Sequence, residues 1–280
     1  MTSEHHANDD MDEPHPYRAL TLMEPGRVNA YFEKNPYNLG DLQSREGLVK
    51  VLDAGVPQLV NEYGWIWLWR NGKPSKLTLN NYNYFLGEGA SPEACRELQA
   101  YWLQMETEWL RSERSIAGVL AFCYLTNNYG FTGDWFVNHI KDLEPSPAFQ
   151  WFSHCFAPRA VFINLVDQRY TKHTTPYEPN SELIFNLFGI NDLNSPCTGR
   201  TEIKLINEKG EVVVQRTLNV TVPAFDRSII PCSLKLPSQS GGYALLSIYY
   251  PSDQAAPVIS RRYINIGNQS IRSYPEIKPH

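Results

Sequence analysis

Residues Val60–Gly72 read VNEYGWIWLWRNG, and their reading decides the first half of the chain. The run Val56-Pro-Gln-Leu-Val60 before them is short, apolar and of strand type. Asn61-Glu62 then falls at the C-terminal end of that strand. Gly64, two residues after Glu62, predicts a tight backbone bend. Trp65 stands beside it as an aromatic face able to pack on the C–H face of a sugar ring. A carboxylate at this end of a parallel strand is placed for chemistry. A strand-end Glu making only a structural hydrogen bond fits the spacing equally well.

Downstream, Ser91-Pro92-Glu93 carries a helix N-cap, a proline at the first helical position and an acid in the first turn. The helix is predicted to run to about Arg114, with Leu98, Tyr101, Trp102, Met105 and Trp109 as its apolar stripe. Ile116–Leu125 (IAGVLAFCYL) is nearly continuous apolar sequence and predicts a strand buried on both faces. The segment from Trp65 to Gly89 reads as a long aromatic loop, and a last helical stretch covers about Pro147–Phe156. Upstream, a helix is predicted from Gly40 to Gly55, and a further strand ends near Pro14. The order is that of a β/α repeat with a parallel sheet, of which only two strands, Val56–Glu62 and Ile116–Leu125, are clear.

After Pro158 the texture changes. Alternating runs appear at Ala160–Val166, Glu182–Phe188, Thr201–Ile206, Val212–Val222, Ile229–Leu236, Tyr243–Tyr249 and Val258–Ile266. Asn207-Glu208-Lys209-Gly210 joins two of them as a hairpin. About seven strands at roughly ten-residue spacing predict an antiparallel β-sandwich of immunoglobulin type.

Composition agrees with two regions of different kind. All seven Trp of the 280 residues lie between Trp65 and Trp151. Residues 1–155 hold 12 Lys+Arg against 20 Asp+Glu, and residues 156–280 hold 13 against 10. A net charge of -5 offers no field for a phosphate backbone, so nucleic acid is not an expected partner. No run reaches the roughly 18 apolar residues of a membrane helix. The first residues are acidic and His-rich and do not read as a secretory signal, which leaves the cytoplasm as the default compartment. His5, His6, Asp9, Asp10 and Asp12 read as a solvated tail rather than a metal site. The five cysteines lack zinc-type spacing and read as buried free thiols. No metal is expected.

VNEYGWIWLWRNG, the upstream EPHPY (Glu13–Tyr17) and the downstream AGVLAFCYLTNNYG (Ala117–Gly130) together resemble the end of the catalytic barrel in clan A glycoside hydrolases. The likeness is to family 2-like enzymes, the β-galactosidase and β-glucuronidase relatives, whose trailing sandwich also looks similar. The resemblance implies a C-terminal fragment of a (β/α)8 TIM barrel over residues 1–157, an immunoglobulin-like β-sandwich over 158–270 and a tail over 271–280. It implies a retaining double displacement on a β-glycoside with two carboxylates and no cofactor.

In that family the nucleophile ends strand 7, and the acid/base ends strand 4, also after an Asn. Only one β/α unit follows Glu62, so Glu62 matches the nucleophile. His15 and Tyr17 match the strand-6 end. Asn61, Trp65, Asn127 and Asn128, by their own places at the strand ends, are read as lining the same cleft. Tyr124 stands at the strand-8 end, where many relatives carry Trp. The acid/base and the earlier strands have no counterpart here. The other Asn-Glu pair, Asn207-Glu208, falls in a sandwich hairpin. An N-terminal half from another polypeptide is therefore the implied partner. The competing readings are a truncated, non-catalytic remnant and a β-sandwich binding or structural module.

Overall fold

The computed structural model describes residues 57–64, 66–114, 116–127, 132–170, 174–268 and 273–279. The chain divides into two compact units that meet between Phe152 and Ser153. The helix predicted over Gly40–Gly55 and the strand predicted to end near Pro14 lie outside the described residues.

In the first unit, β1 (Gln58–Tyr63) pairs in parallel with β2 (Ile116–Ala121), with Val60 opposite Val119 and Tyr63 opposite Ala121. A parallel pair needs a crossover. It contains α1 (Leu79–Leu86) and α2 (Pro92–Ser112). The start of α2 is the one its sequence predicts. Ser91 is extended, and its Oγ accepts from the Ala94 N–H at 3.2 Å. Pro92 and Glu93 occupy the first turn, where an acid meets the helix's free N–H groups. Leu98, Tyr101, Trp102, Met105 and Trp109 are all buried.

Burial on α2 goes beyond this stripe. Gln99, Gln104, Thr107, Glu108 and Ser112 are buried too, and each has a partner. Gln99 Nε2 donates to Ile66 O (3.1 Å), Gln104 Nε2 to Glu108 Oε1 (2.9 Å), Thr107 Oγ1 to Leu103 O (2.7 Å) and Ser112 Oγ to Glu108 O (2.7 Å). These four donors are thereby satisfied, which removes the desolvation cost they would otherwise carry.

Two expectations are corrected. The segment Trp65–Gly89 is not all loop, because it contains α1. Its sequence, LNNYNYFL, has weak helix propensity, so the local signal is absent. Tertiary bonds compensate: Thr78 Oγ1 donates to Trp67 O (2.6 Å), and the buried Tyr82 OH donates to Ile66 O (2.8 Å). The second correction concerns β2, which stops at Ala121 and is not buried on both faces. Val119, Ala121 and Ile116 pack on Val60, Tyr63 and Leu110, while Leu120 is 51% exposed. A continuous apolar run shows that a strand can be buried, not that a second layer covers it.

The second unit is a β-sandwich. After α3 (Pro147–Cys155) come β3 (Arg159–Asn164), β4 (Glu182–Asn191), β5 (Cys197–Ile206), β6 (Val212–Val222), β7 (Asp226–Lys235), β8 (Gly241–Pro251) and β9 (Val258–Ile266). All seven sequence-predicted strands are present. They form two antiparallel sheets, β3-β4-β7 and β6-β5-β8-β9. Inward-facing Ile163, Leu187, Ile203, Leu205, Leu245 and Ile264 are fully buried between them.

The β5–β6 hairpin is held by Asn207, whose Oδ1 accepts from the N–H groups of Lys209 and Glu211, both at 3.0 Å. Residues 273–279 do not trail away. Gly242 lies against Ser273 and Tyr274, and Tyr274 OH donates to Asn265 Oδ1 at 2.5 Å. The Arg169 guanidinium sits over the rings of Tyr170, Tyr263 and Tyr274, at 4.9, 4.7 and 5.5 Å.

Candidate active site at the strand ends

Glu62 is the penultimate residue of β1, and both it and Asn61 are half-buried. Gly64 follows with φ +92°, the left-handed bend expected there. The backbone conformation calls for glycine, and a Cβ there would press on the tip of Leu103, 2.6 Å from Cδ2.

The chain leaving β2 returns to the same end. Trp67 Nε1 donates to Phe122 O at 2.8 Å, and the two rings meet edge-on with centroids 5.7 Å apart. Cys123, the one half-buried thiol among five free cysteines, donates to Gly133 O at 3.3 Å. Burial pushes its pKa up, and the negative charges of Asp134 and Glu62 push it further, against a lowering bond with Thr132. The Phe122 N–H donates to Tyr63 O at 3.0 Å, so the loop after β2 starts beside Glu62.

Arg70 and Asp134 tie the two post-strand loops together. Arg70 Nε lies 3.2 and 3.1 Å from the two Asp134 oxygens, and Nη2 lies 2.7 Å from Oδ2. Their side chains are 7% and 0% exposed. Asp134 also accepts from the N–H groups of Thr126 (3.1 Å) and Phe136 (3.2 Å), while Arg70 Nη2 donates to Thr126 O at 2.5 Å. Both oxygens of this carboxylate are thus committed to a buried guanidinium and two peptide groups. Gly133 permits the approach: a Cβ there would fall 1.6 Å from Leu68 O.

The sequence-predicted residues divide as follows. Glu62 and Asn61 stand at the strand end. Tyr124 is 53% exposed, and its ring leans on Phe136, Phe149 and Trp135 at centroid distances of 5.3, 5.8 and 6.3 Å. Asn127 is exposed, next to the held Thr126. His15, Tyr17, Trp65 and Asn128 lie outside the described residues. Glu208, of the second Asn-Glu pair, accepts from Ser273 Oγ at 2.7 Å in the sandwich.

Sequence reasoning missed the roles of Arg70 and Cys123. Arg70 lies inside the quoted motif, but its partner is 64 residues away, and no local spacing reports such a pair.

No family model and no curated protein matches the sequence. Solved structures similar to the chain include two glycoside hydrolases. One is a β-D-mannosidase from Dictyoglomus thermophilum, with TM-score 0.44 and 15% identity over 62% of this chain and 19% of that one. The other is an exo-chitosanase from Amycolatopsis orientalis in complex with PNP-β-D-glucosamine, with TM-score 0.43 and 16% identity over 70% of this chain and 22% of that one. A transglutaminase from red sea bream is also similar, with TM-score 0.30 and 12% identity over 40% of this chain and 17% of that one. The chain spans about a fifth of the length of each of these proteins.

Proposed function

We propose that this chain carries the nucleophile side of a retaining glycoside hydrolase site. Glu62 attacks the anomeric carbon of a β-glycoside, the glycosidic C–O bond breaks, and a glycosyl ester forms on the carboxylate. On this reading β1 and β2 are strands 7 and 8 of a (β/α)8 barrel, and the sandwich is its immunoglobulin-like companion. The observation that carries it is the position of Glu62 at the C-terminal end of a parallel strand, with the loops after both strands gathered at that end.

Asn61 and Asn127 are read as hydrogen-bonding groups for sugar hydroxyls, and Tyr124 as an aromatic wall. His15, Tyr17, Trp65 and Asn128 keep the same roles as proposals. Asp134 is bound to Arg70 and does not serve as the acid/base. That group is proposed to come from the part of the barrel that carries strands 1–5.

An activated leaving group needs no acid, so the first step is testable on this chain. Dinitrophenyl 2-deoxy-2-fluoro-β-glycosides of glucose, galactose and mannose are expected to leave a glycosyl adduct on the peptide containing Glu62. Mass spectrometry reads it, and Glu62→Gln should abolish it. No adduct with any sugar, or an adduct that survives Glu62→Gln, overturns the assignment. Ordinary nitrophenyl glycosides should not turn over above background without the acid, which normally contributes roughly 10²- to 10⁴-fold.

A further inference from the structure

We infer that Arg70 and Asp134 are the positioning residues of this site, holding segment 122–127 against the end of β1, where the Phe122 N–H donates to Tyr63 O at 3.0 Å. The inference deepens the glycosidase reading and rests on it for the role of Glu62.

The geometry is a clamp on one residue. Thr126 is gripped at both its peptide groups, with its N–H on Asp134 Oδ2 and its C=O on Arg70 Nη2. The clamp is itself anchored, because Arg96 Nη2 of α2 donates to Arg70 O at 3.0 Å. At the other end Cys123 Sγ donates to Gly133 O, one residue before Asp134. A continuous set of bonds thus runs from the crossover helix through both loops to Cys123, next to the Phe122 N–H that donates to Tyr63 O beside Glu62.

A buried ion pair is a poor device for stability alone, since an apolar pair of similar volume serves about as well. A planar guanidinium fork facing a carboxylate is a good device for geometry, because it fixes direction as well as distance. Asn127, next to Thr126 and exposed, would then present its amide from a held backbone.

The test uses the full chain and iodoacetamide, reading alkylation of Cys123 by peptide mass spectrometry. In the parent, Glu62→Gln removes a charge that disfavours the thiolate. Alkylation near neutral pH should therefore quicken by about twofold or more. In an Arg70→Met/Asp134→Leu background the same Glu62→Gln change should no longer alter the rate. Gly133→Ala displaces the same segment without touching a charge and should uncouple the thiol in the same way.

A measurement without any variant stands beside these. The amide protons of Thr126 and Phe136 should exchange slowly in the parent protein. Undiminished coupling in both altered backgrounds overturns the inference, and so does a Thr126 amide that exchanges at open-loop rates. The two readings fail separately. Loss of coupling without a glycosyl adduct keeps the clamp and removes the nucleophile, and an adduct with surviving coupling does the reverse.

Discussion

Replacing Glu106 by Gln should raise the stability of the first unit at alkaline pH and leave it nearly unchanged in acid. Glu106 lies on α2, and its Oε2 is out of solvent with no hydrogen-bond partner. Burial pushes its pKa from 4.5 to about 8, against a lowering bond with Trp102. The carboxyl therefore holds its proton more tightly when folded than when unfolded. Folding is fully favoured below the unfolded value of about 4.5 and loses stability as pH rises toward the folded value of about 8.

A difference of about 3.5 units at 1.36 kcal/mol each sets a ceiling of about 5 kcal/mol on that loss. Water drawn toward the charged form should bring the observed loss to about 2–3 kcal/mol. Glutamine is neutral throughout and removes the slope. Urea unfolding at pH 5, 7 and 9 measures it. Tryptophan fluorescence reports the first unit selectively, since all seven Trp lie between Trp65 and Trp151. Equal pH dependence in parent and variant would show that Glu106 is not held as the neutral acid.

Two further outcomes test the local structure. Ser91→Ala deletes the side-chain acceptor for Ala94 N–H and should cost about 1 kcal/mol in the same urea assay, whereas Ser91→Asn should cost much less. Removing residues 273–280 uncovers Gly242 and strips Tyr274 from Tyr263 and Arg169. Burial of an aromatic side chain contributes about 2–3 kcal/mol, so the shortened chain should lose thermolysin resistance in the sandwich; an unchanged digestion rate would mean that the segment adds nothing.

Much of the fold was legible because its determinants are local. The seven strands of the sandwich announced themselves by alternation broken at turns. Asn207-Glu208-Lys209-Gly210 was read as a hairpin, and its side-chain bonds close it within four residues. The cap of α2 and its apolar stripe are likewise contained in a few neighbouring positions. The helix Leu79–Leu86 escaped because Thr78 and Tyr82 bond to backbone carbonyls 11 and 16 residues away, while the helix's own residues favour no helix. Ile116–Leu125 misled for the opposite reason: its local signal was strong, but coverage belongs to neighbouring layers, and Leu120 has little.

The candidate site divides along the same line. By itself the sequence determined that a carboxylate, Glu62, stands at a strand end just before a glycine bend, because strand, acid and bend lie within a few residues of one another. Only the tertiary structure decided which groups meet there. The Phe122 N–H meets Tyr63 O beside Glu62, and Arg70 closes on Asp134, across a whole crossover of chain. A buried ion pair between loops is selected by the shape of the space that encloses it, and that space does not exist until β1, α2 and β2 have packed.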